Sequence, residues 1–227
     1  MNNEVNDMFQ KMFDQVKDKL LSDSEIKRIE RERFEAERDQ RAIERLAASG
    51  IPRRFREHGK TLEIENLWGS KAAEIGQGVG KGMLLLLFGP PGTGKTQLAT
   101  ELVRKGITDH GMNGYFLTGS WLKLAVKDSW STNSEKQLID RLRGTGILVI
   151  DEIDWLFGNK ETATEDYWTS SFYHILNCRY NDMLDTVLTS NRTLPELKRI
   201  LPAPVWGRIN ETGGVISTEG WIDWRAR

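Results

Sequence analysis

The chain of 227 residues is long enough for one ordinary domain with an appendage, and a hydrophobic share of 38% suffices for a compact core. Its 32 Lys and Arg against 33 Asp and Glu leave a net charge of -1, which excludes a global positive field for nucleic acid and leaves only a local basic face open. The longest unbroken apolar run, residues 83–88, falls far short of the roughly 20 residues of a membrane-spanning helix, and the N-terminus lacks a signal-peptide pattern, so a cytoplasmic location with no membrane partner is expected.

In chain order, Val5, Met8, Phe9, Met12, Phe13, Val16 and Leu20 recur at steps of three and four, which predicts a short amphipathic helix whose apolar stripe needs a surface to bury against. Ser22 with Glu25 forms a capping box that opens a second helix running to about Ala48. Fourteen of residues 24–48 are charged, seven of each sign. The thin apolar line through Ile26, Ile29, Ala36, Ile43 and Ala47 is broken by Arg33 and Gln40, so a solvated stalk held by neighbouring opposite charges is expected in preference to a coiled coil. Ser49, Gly50, Ile51 and Pro52 end it. The expected organisation is a helical appendage at 1–48, a linker at 49–65 and a main domain at 66–227.

From about residue 62 the pattern changes to short apolar runs separated by helical periods, which predicts an α/β domain with a parallel sheet and crossover helices. Strands are expected at 83–88, 115–118, 147–151, 186–189 and 215–217. Helices are expected at 95–105, 120–127, 134–143 and 165–180, with a short turn begun by the Thr193 and Glu196 capping pair. Gly76, Gly78, Gly80 and Gly82 precede the first strand instead of following it, and so read as a loop and not as a dinucleotide fingerprint. The single cysteine, Cys178, excludes an intramolecular disulfide. With His174 four residues before it, it supplies only two potential metal ligands, and packing roles are expected for both.

The sharpest chemical signal is Gly89-Pro90-Pro91-Gly92-Thr93-Gly94-Lys95-Thr96, a phosphate-loop pattern set between an apolar strand and a helical segment. The glycines let backbone N–H groups curl around phosphate oxygens at a positive helix N-terminus, Lys95 reaches the β and γ phosphates, and the Thr96 hydroxyl holds magnesium. Gln97, next in the chain, is taken with them as ATP-binding. Further on, Ile147-Leu148-Val149-Ile150-Asp151-Glu152 ends a strand in two carboxylates, where ligands of open α/β sheets bind. Asp151 is expected to organise magnesium, and Glu152 to polarise the water that attacks the γ phosphate. ATP and Mg2+ are the expected cofactors.

This arrangement resembles the AAA+ ATPases, and more closely the bacterial and phage helicase loaders of the DnaC and DnaI type, which are similar to the IstB transposition ATPases. The likeness rests on Gly50-Ile51-Pro52-Arg53-Arg54-Phe55, on the two nucleotide motifs, on Ala125-Val126-Lys127-Asp128 with Ser134-Glu135-Lys136-Gln137-Leu138, and on Arg179-Tyr180. It continues through Leu188-Thr189-Ser190-Asn191 and Gly207-Arg208-Ile209 to Trp221-Ile222-Asp223-Trp224-Arg225. The resemblance implies a three-layer phosphate-loop AAA+ core with little or no helical lid, since only thirty-six residues follow Asn191. It further implies that Asn191 senses the γ phosphate, that Arg208 is an arginine finger donated in trans to a neighbouring subunit, and that Arg225 is a second sensor arginine acting on its own subunit's nucleotide.

Lys123, Lys127 and Trp130 lie after the second strand, where related loaders present single-stranded DNA contacts, and cations beside an aromatic ring suit a single strand. Core packing is the alternative for Trp121 and Trp130. The preferred functional reading is an ATP-dependent loader of a hexameric replicative helicase. Its stripe of Val5, Met8, Phe9, Met12, Phe13, Val16 and Leu20 would grip the helicase, and hydrolysis, slow and stimulated by DNA or partner, would act as the switch. An IstB-like transposition helper, and an ATP-binding adaptor without significant turnover, are the alternatives.

Overall fold

The computed structural model describes residues 7, 10–11, 23–58, 67–132, 135–157 and 167–221. The expected first helix with its apolar stripe, the Ser22 cap, Ser134 and Arg225 lie outside the described residues. The chain divides into two compact units, Met1–Ile43 and Glu44–Arg227. No described helix is long and apolar enough to cross a membrane.

In the first unit the described backbone is the greater part of helix α1, Asp23–Ala48. Side chains from Ser24 to Arg41 are all exposed, and opposite charges meet one turn apart in Arg31–Glu35 at 3.0 Å, Arg33–Glu37 at 3.2 Å and Arg41–Glu37 at 3.4 Å. Such pairs contribute about 0.3–0.5 kcal/mol each, enough to favour the helix locally without any apolar seam. Ile26, Ile29, Phe34 and Ile43 remain exposed along it.

The second unit is built on five strands, β1 (Leu84–Phe88), β2 (Gly114–Thr118), β3 (Ile147–Asp151), β4 (Asp185–Ser190) and β5 (Val215–Ser217). They form one parallel sheet in the order β2-β3-β4-β1-β5. Every residue of β1, β3 and β4 is buried, as parallel strands covered by helices on both faces require, and this explains the unbroken apolar runs of β1 and of residues 147–150, whereas β4 has only Val187 and Leu188 as apolar residues and buries polar ones at both ends. The strands match expectation to within one or two residues.

The helices of this unit are α2 (Arg53–His58), α3 (Leu67–Gly76), α4 (Lys95–His110), α5 (Gly119–Thr132), α6 (Glu135–Gly144), α7 (Asp154–Phe157), α8 (Tyr167–Asn181), α9 (Leu194–Ile200) and α10 (Ala203–Thr212). Helix α4 runs five residues beyond the expected end at 105, because Gly106 lets the helix close on the sheet: a Cβ there would lie 2.9 Å from Ile147 Cγ2. It stops at Gly111, which is left-handed at φ 63° and donates its N–H to the Gly106 carbonyl. The Thr193 and Glu196 capping box is present, with the Thr193 N–H donated to Glu196 Oε2 at 2.8 Å. Helices α2, α3, α7 and α10 were not expected. After β4 the described chain consists of α9, α10 and β5, with no further helical layer among the described residues.

Two buried polar groups organise the sheet. The Asp185 carboxylate, at the start of β4, accepts the N–H groups of Gly80 at 2.5 Å, Gly82 at 2.9 Å and Met83 at 2.8 Å. Gly76 ends helix α3 instead of joining the expected loop, whereas Gly78 to Gly82 form a loop that wraps a carboxylate; Gly82 is left-handed at φ 77° and a Cβ there would press on the Met183 backbone at 2.9 Å, so the position calls for glycine. Arg179, fully buried on α8, donates from Nε to Thr186 Oγ1 at 2.9 Å and from its two Nη atoms to the carbonyls of Leu142, Thr145 and Asp185 at 2.7, 2.5 and 2.5 Å. Burial pulls the Arg179 pKa down to about 9, while the nearby carboxylates of Asp185 and Asp182 hold it up. Each buried group satisfied in this way escapes a penalty of about 1–3 kcal/mol. Within this unit, which begins at Glu44, the Ser49 carbonyl accepts the Phe116 N–H of β2 at 2.7 Å, and Arg45 donates to the Gly111 carbonyl at 2.5 Å.

Candidate nucleotide site

The strand order sets the site. Because β4 lies between β1 and β3, the loop after β1, the carboxylates after β3 and the turn after β4 all emerge at one carboxyl edge of the sheet. The loop from Gly89 to Gly94 takes left-handed conformations at Gly89 (φ 137°), Gly92 (φ 88°) and Gly94 (φ 89°), which side-chain-bearing residues rarely adopt. At Gly89 a Cβ would also lie 2.5 Å from Thr218 Oγ1, so the loop sits hard against the chain that leaves β5. Gly94 caps α4 with no side-chain hydrogen bond, which leaves the first N–H groups of a 16-residue helix for an anion.

The loop is braced from β5. Thr93 Oγ1 donates to the Pro90 carbonyl at 2.9 Å and shares a hydrogen bond with Thr218 Oγ1 at 2.7 Å, while the Thr218 N–H is donated to the Phe88 carbonyl at 2.8 Å. Lys95 curls over the loop, its ammonium donating to the carbonyls of Gly89 at 2.8 Å and Pro90 at 2.6 Å. The same ammonium lies within electrostatic reach of Asp151.

Asp151 is the hub. It is buried, and it accepts the Thr96 hydroxyl at 3.1 and 3.0 Å and the Thr189 hydroxyl at 2.5 Å. Burial pushes its carboxyl above the usual range and the nearby Glu152 charge adds to this, whereas the Thr189 and Thr96 hydroxyls and Lys95 pull it back down. A buried carboxylate beside a hydroxyl is the hard-oxygen donor pair that magnesium takes at phosphate sites, where phosphate and water complete the shell. Among the described residues no cluster of three or more His, Cys, Asp or Glu offers a competing metal site.

Glu152 follows in the left-handed region at φ 53°, a conformation that costs a non-glycine residue about 1–3 kcal/mol and persists where surrounding bonds enforce it. Its N–H is donated to Thr189 Oγ1 at 2.9 Å, and its Oε2 accepts the indole N–H of the exposed Trp155 at 3.2 Å. Asn191, at the exit of β4, is exposed and gives its N–H to the Asp154 carboxylate at 2.7 Å.

The structure therefore brings together the phosphate loop, Lys95, Thr96, Asp151 and Glu152, with Asn191 on the adjacent strand exit. It does not bring Arg208 to them. Arg208 on α10 donates to Asn177 Oδ1 at 2.5 Å and lies over the Tyr180 ring at 5.1 Å, and among the described residues it contacts none of the phosphate-loop residues, Asp151 or Glu152. Gln97 is buried along α4 and donates to Glu101 at 3.1 Å. Lys123 is half-buried and Lys127 exposed, one turn apart on α5, and Trp130 belongs to the same helix. Trp121 packs edge-on against Tyr115, with ring centroids 6.3 Å apart, yet stays 41% exposed, so it is only partly a core residue. His174 and Cys178 face each other at 3.7 Å. The sequence assigned no role to Thr189, Asp154 or Thr218; Thr189 entered it only as part of the Leu188-Thr189-Ser190-Asn191 motif.

Strand order, phosphate loop and paired carboxylates define a phosphate-loop nucleotide-hydrolase class. Within it, the profile of the ATPase family associated with various cellular activities (AAA) matches residues 85–212, more than half of the chain, and the chain belongs to that family of ATP-binding ATPases. An insertion-sequence IS21 protein of Pseudomonas aeruginosa, described as ATP-binding, is 33% identical over 108 residues, which is 48% of this chain and 38% of that protein. The chromosomal replication initiator protein DnaA of Lactiplantibacillus plantarum is 29% identical over 128 residues, 54% of this chain and 27% of that protein. The chain thus spans well under half the length of these two relatives. Among solved structures, the DnaC helicase loader superposes with a TM-score of 0.59 at 21% identity, covering 73% of this chain and 99% of that one. A replication initiator DnaA bound to AMPPCP and single-stranded DNA superposes with a TM-score of 0.55 at 18% identity, covering 68% of this chain and 46% of that one. At these identities the likeness is one of fold.

Proposed function

We propose that the chain is an ATP-dependent loader of a hexameric replicative helicase, binding that helicase and single-stranded DNA, with ATP binding and slow, partner-stimulated hydrolysis as the switch. The observation that carries this reading is that its fold spans 99% of the DnaC helicase loader chain, against 46% of the DnaA initiator chain. In this reading Lys95 neutralises phosphate charge, and the N–H groups of the loop hold the β phosphate. Magnesium held by Thr96 and Asp151 would supply charge neutralisation to the bound phosphates. Glu152 polarises the attacking water, Asn191 reads the γ phosphate, and Arg208 acts on the nucleotide of a neighbouring copy. Arg225 is assigned to its own subunit's nucleotide, and Lys123, Lys127 and Trp130 to single-stranded DNA. The similarity to an IS21 ATP-binding protein favours a second reading, a transposition helper that recruits a transposase with the same ATPase chemistry.

The stripe of Val5, Met8, Phe9, Met12, Phe13, Val16 and Leu20 separates the two readings, since a methionine-rich apolar face adapts to a partner's helical groove. The tagged full chain should capture the cognate hexameric helicase and not a transposase. Burial of each large apolar side chain is worth about 1.5–3 kcal/mol, so replacing Phe9 and Phe13 together with Ser should abolish most of that capture at an unchanged melting temperature. A lowered melting temperature with capture retained would make the stripe internal packing, and capture of a transposase alone would favour the second reading.

A further inference from the structure

We infer that Asp154, a residue outside the nucleotide motifs, is a positioning residue that holds Asn191 in register with the Asp151–Glu152 turn. The inference rests on the proposed role of Asn191. Three consecutive residues at the end of β4 are each tied to the turn that follows β3. Thr189 accepts the Glu152 N–H on Oγ1 at 2.9 Å, donates that hydroxyl to Asp151, and accepts the Ile153 N–H on its carbonyl at 2.9 Å. Ser190 donates its hydroxyl to one oxygen of Asp154. Asn191 donates its N–H to the other oxygen at 2.7 Å. The Ser190 oxygen in turn accepts the Arg192 N–H at 3.0 Å, and the Arg192 guanidinium stands 3.8 Å from Asp154.

The ladder between β3 and β4 explains why this tie matters. Its last paired residues are Ile150 and Leu188, and beyond that point the Ile153 N–H given to the Thr189 carbonyl is the last backbone bond between the two exits among the described residues. The Thr189 contacts hold the first step and the Asp154 carboxylate holds the next two, through hydrogen bonds that an ionised acceptor makes about twice as strong as neutral ones. Ser190 is fully buried and the Asp154 side chain is only 19% exposed, so water is a poor substitute for either partner. Asn191 itself is exposed, and its backbone is placed by Asp154 alone among the described contacts. A sensor on a loop free of this carboxylate would sample positions that do not face the γ phosphate. Ser190 is also held from β1, where it pairs with Phe88 and its carbonyl accepts the Gly89 N–H at 3.2 Å, so the phosphate loop keeps its own anchor when the Asp154 carboxylate is removed.

The test is a double-mutant cycle on the full chain, with single-turnover ATP hydrolysis and equilibrium ATP binding measured separately. Asp154→Ala is expected to slow hydrolysis about 10–100-fold, by analogy with the loss seen when a partner that orients a metal-binding side chain is removed, while ATP affinity stays at the parent value. Asn191→Ala is expected to slow it at least as much. In the Asn191→Ala background, Asp154→Ala should then have no further effect, because the carboxylate acts through Asn191. Asp154→Asn, which keeps the shape and one acceptor oxygen and so guards against a folding defect, should lose less than Asp154→Ala. Independent, multiplicative losses in the double variant, or parent-level hydrolysis by Asp154→Ala beside an impaired Asn191→Ala, would overturn the inference and leave the sensor reading standing. Parent-level hydrolysis by Asn191→Ala would overturn the sensor reading and the inference with it.

Discussion

Glu152→Gln is expected to bind ATP as tightly as the parent and to lose hydrolysis by about 10²–10⁴-fold, the range contributed by a positioned general base. Glutamine keeps the length of the side chain and an oxygen that can accept the Trp155 indole N–H, so the left-handed turn at φ 53° and its bond to Thr189 have no reason to change. What is removed is the charge proposed to polarise water. The phosphate loop, braced through Thr93 and Thr218, is untouched, and so is the Lys95 ammonium proposed to neutralise phosphate. Lys95→Ala should show the converse pattern, a loss of binding. Equilibrium titration with a fluorescent ATP analogue beside phosphate release reads both variants. Parent-level phosphate release from Glu152→Gln would remove this residue from the mechanism.

Arg208→Ala should bind ATP normally and hydrolyse it poorly. An arginine supplied across an interface is worth about 10³–10⁵ in rate in the nucleotide hydrolases where it has been measured, and a slow switch is expected to show the lower end or less. In the described chain the guanidinium is held by Asn177 and lies over the Tyr180 ring on α8, contacts that it would have to exchange for a phosphate. The tyrosine is itself steadied by its hydroxyl, donated to Glu211 at 2.7 Å. Mixing Arg208→Ala with Lys95→Ala should restore part of the activity that each lacks alone, since one copy offers an intact pocket and the other an intact finger. Mixtures shown to co-assemble without any recovery would mean that the arginine acts in cis or not at all.

The parts of this site that were legible in the sequence are contiguous in it. Gly89 to Thr96 and Ile147 to Glu152 each carry their own strand or helix context, so strand, turn and charge are read in one window. The charged stalk was legible for the same reason, since its ion pairs join residues four apart. The contacts that assemble the site were not. Thr189 meets Asp151 across 38 positions and Asp185 meets Gly80 across 105, and both pairings exist only because β4 is inserted between β3 and β1. No periodicity records that insertion. Helices α2 and α7 are only six and four residues long, too short for a helical period to show, and α10 hides behind Pro202 and Pro204, which read as a turn although proline suits the first turn of a helix. Trp121 shows the remaining limit: an aromatic at helical spacing reads as core, and only the tertiary structure reveals that one side of it faces solvent.

The most direct test of the loader reading is transfer of the cognate hexameric helicase onto closed circular single-stranded DNA, measured as helicase retained on the circles after gel filtration, with and without the chain and ATP. Efficient transfer is predicted only when the wild-type chain and ATP are both present, with Lys95→Ala failing to support it. Equal retention of helicase on the circles with and without the chain would contradict the account.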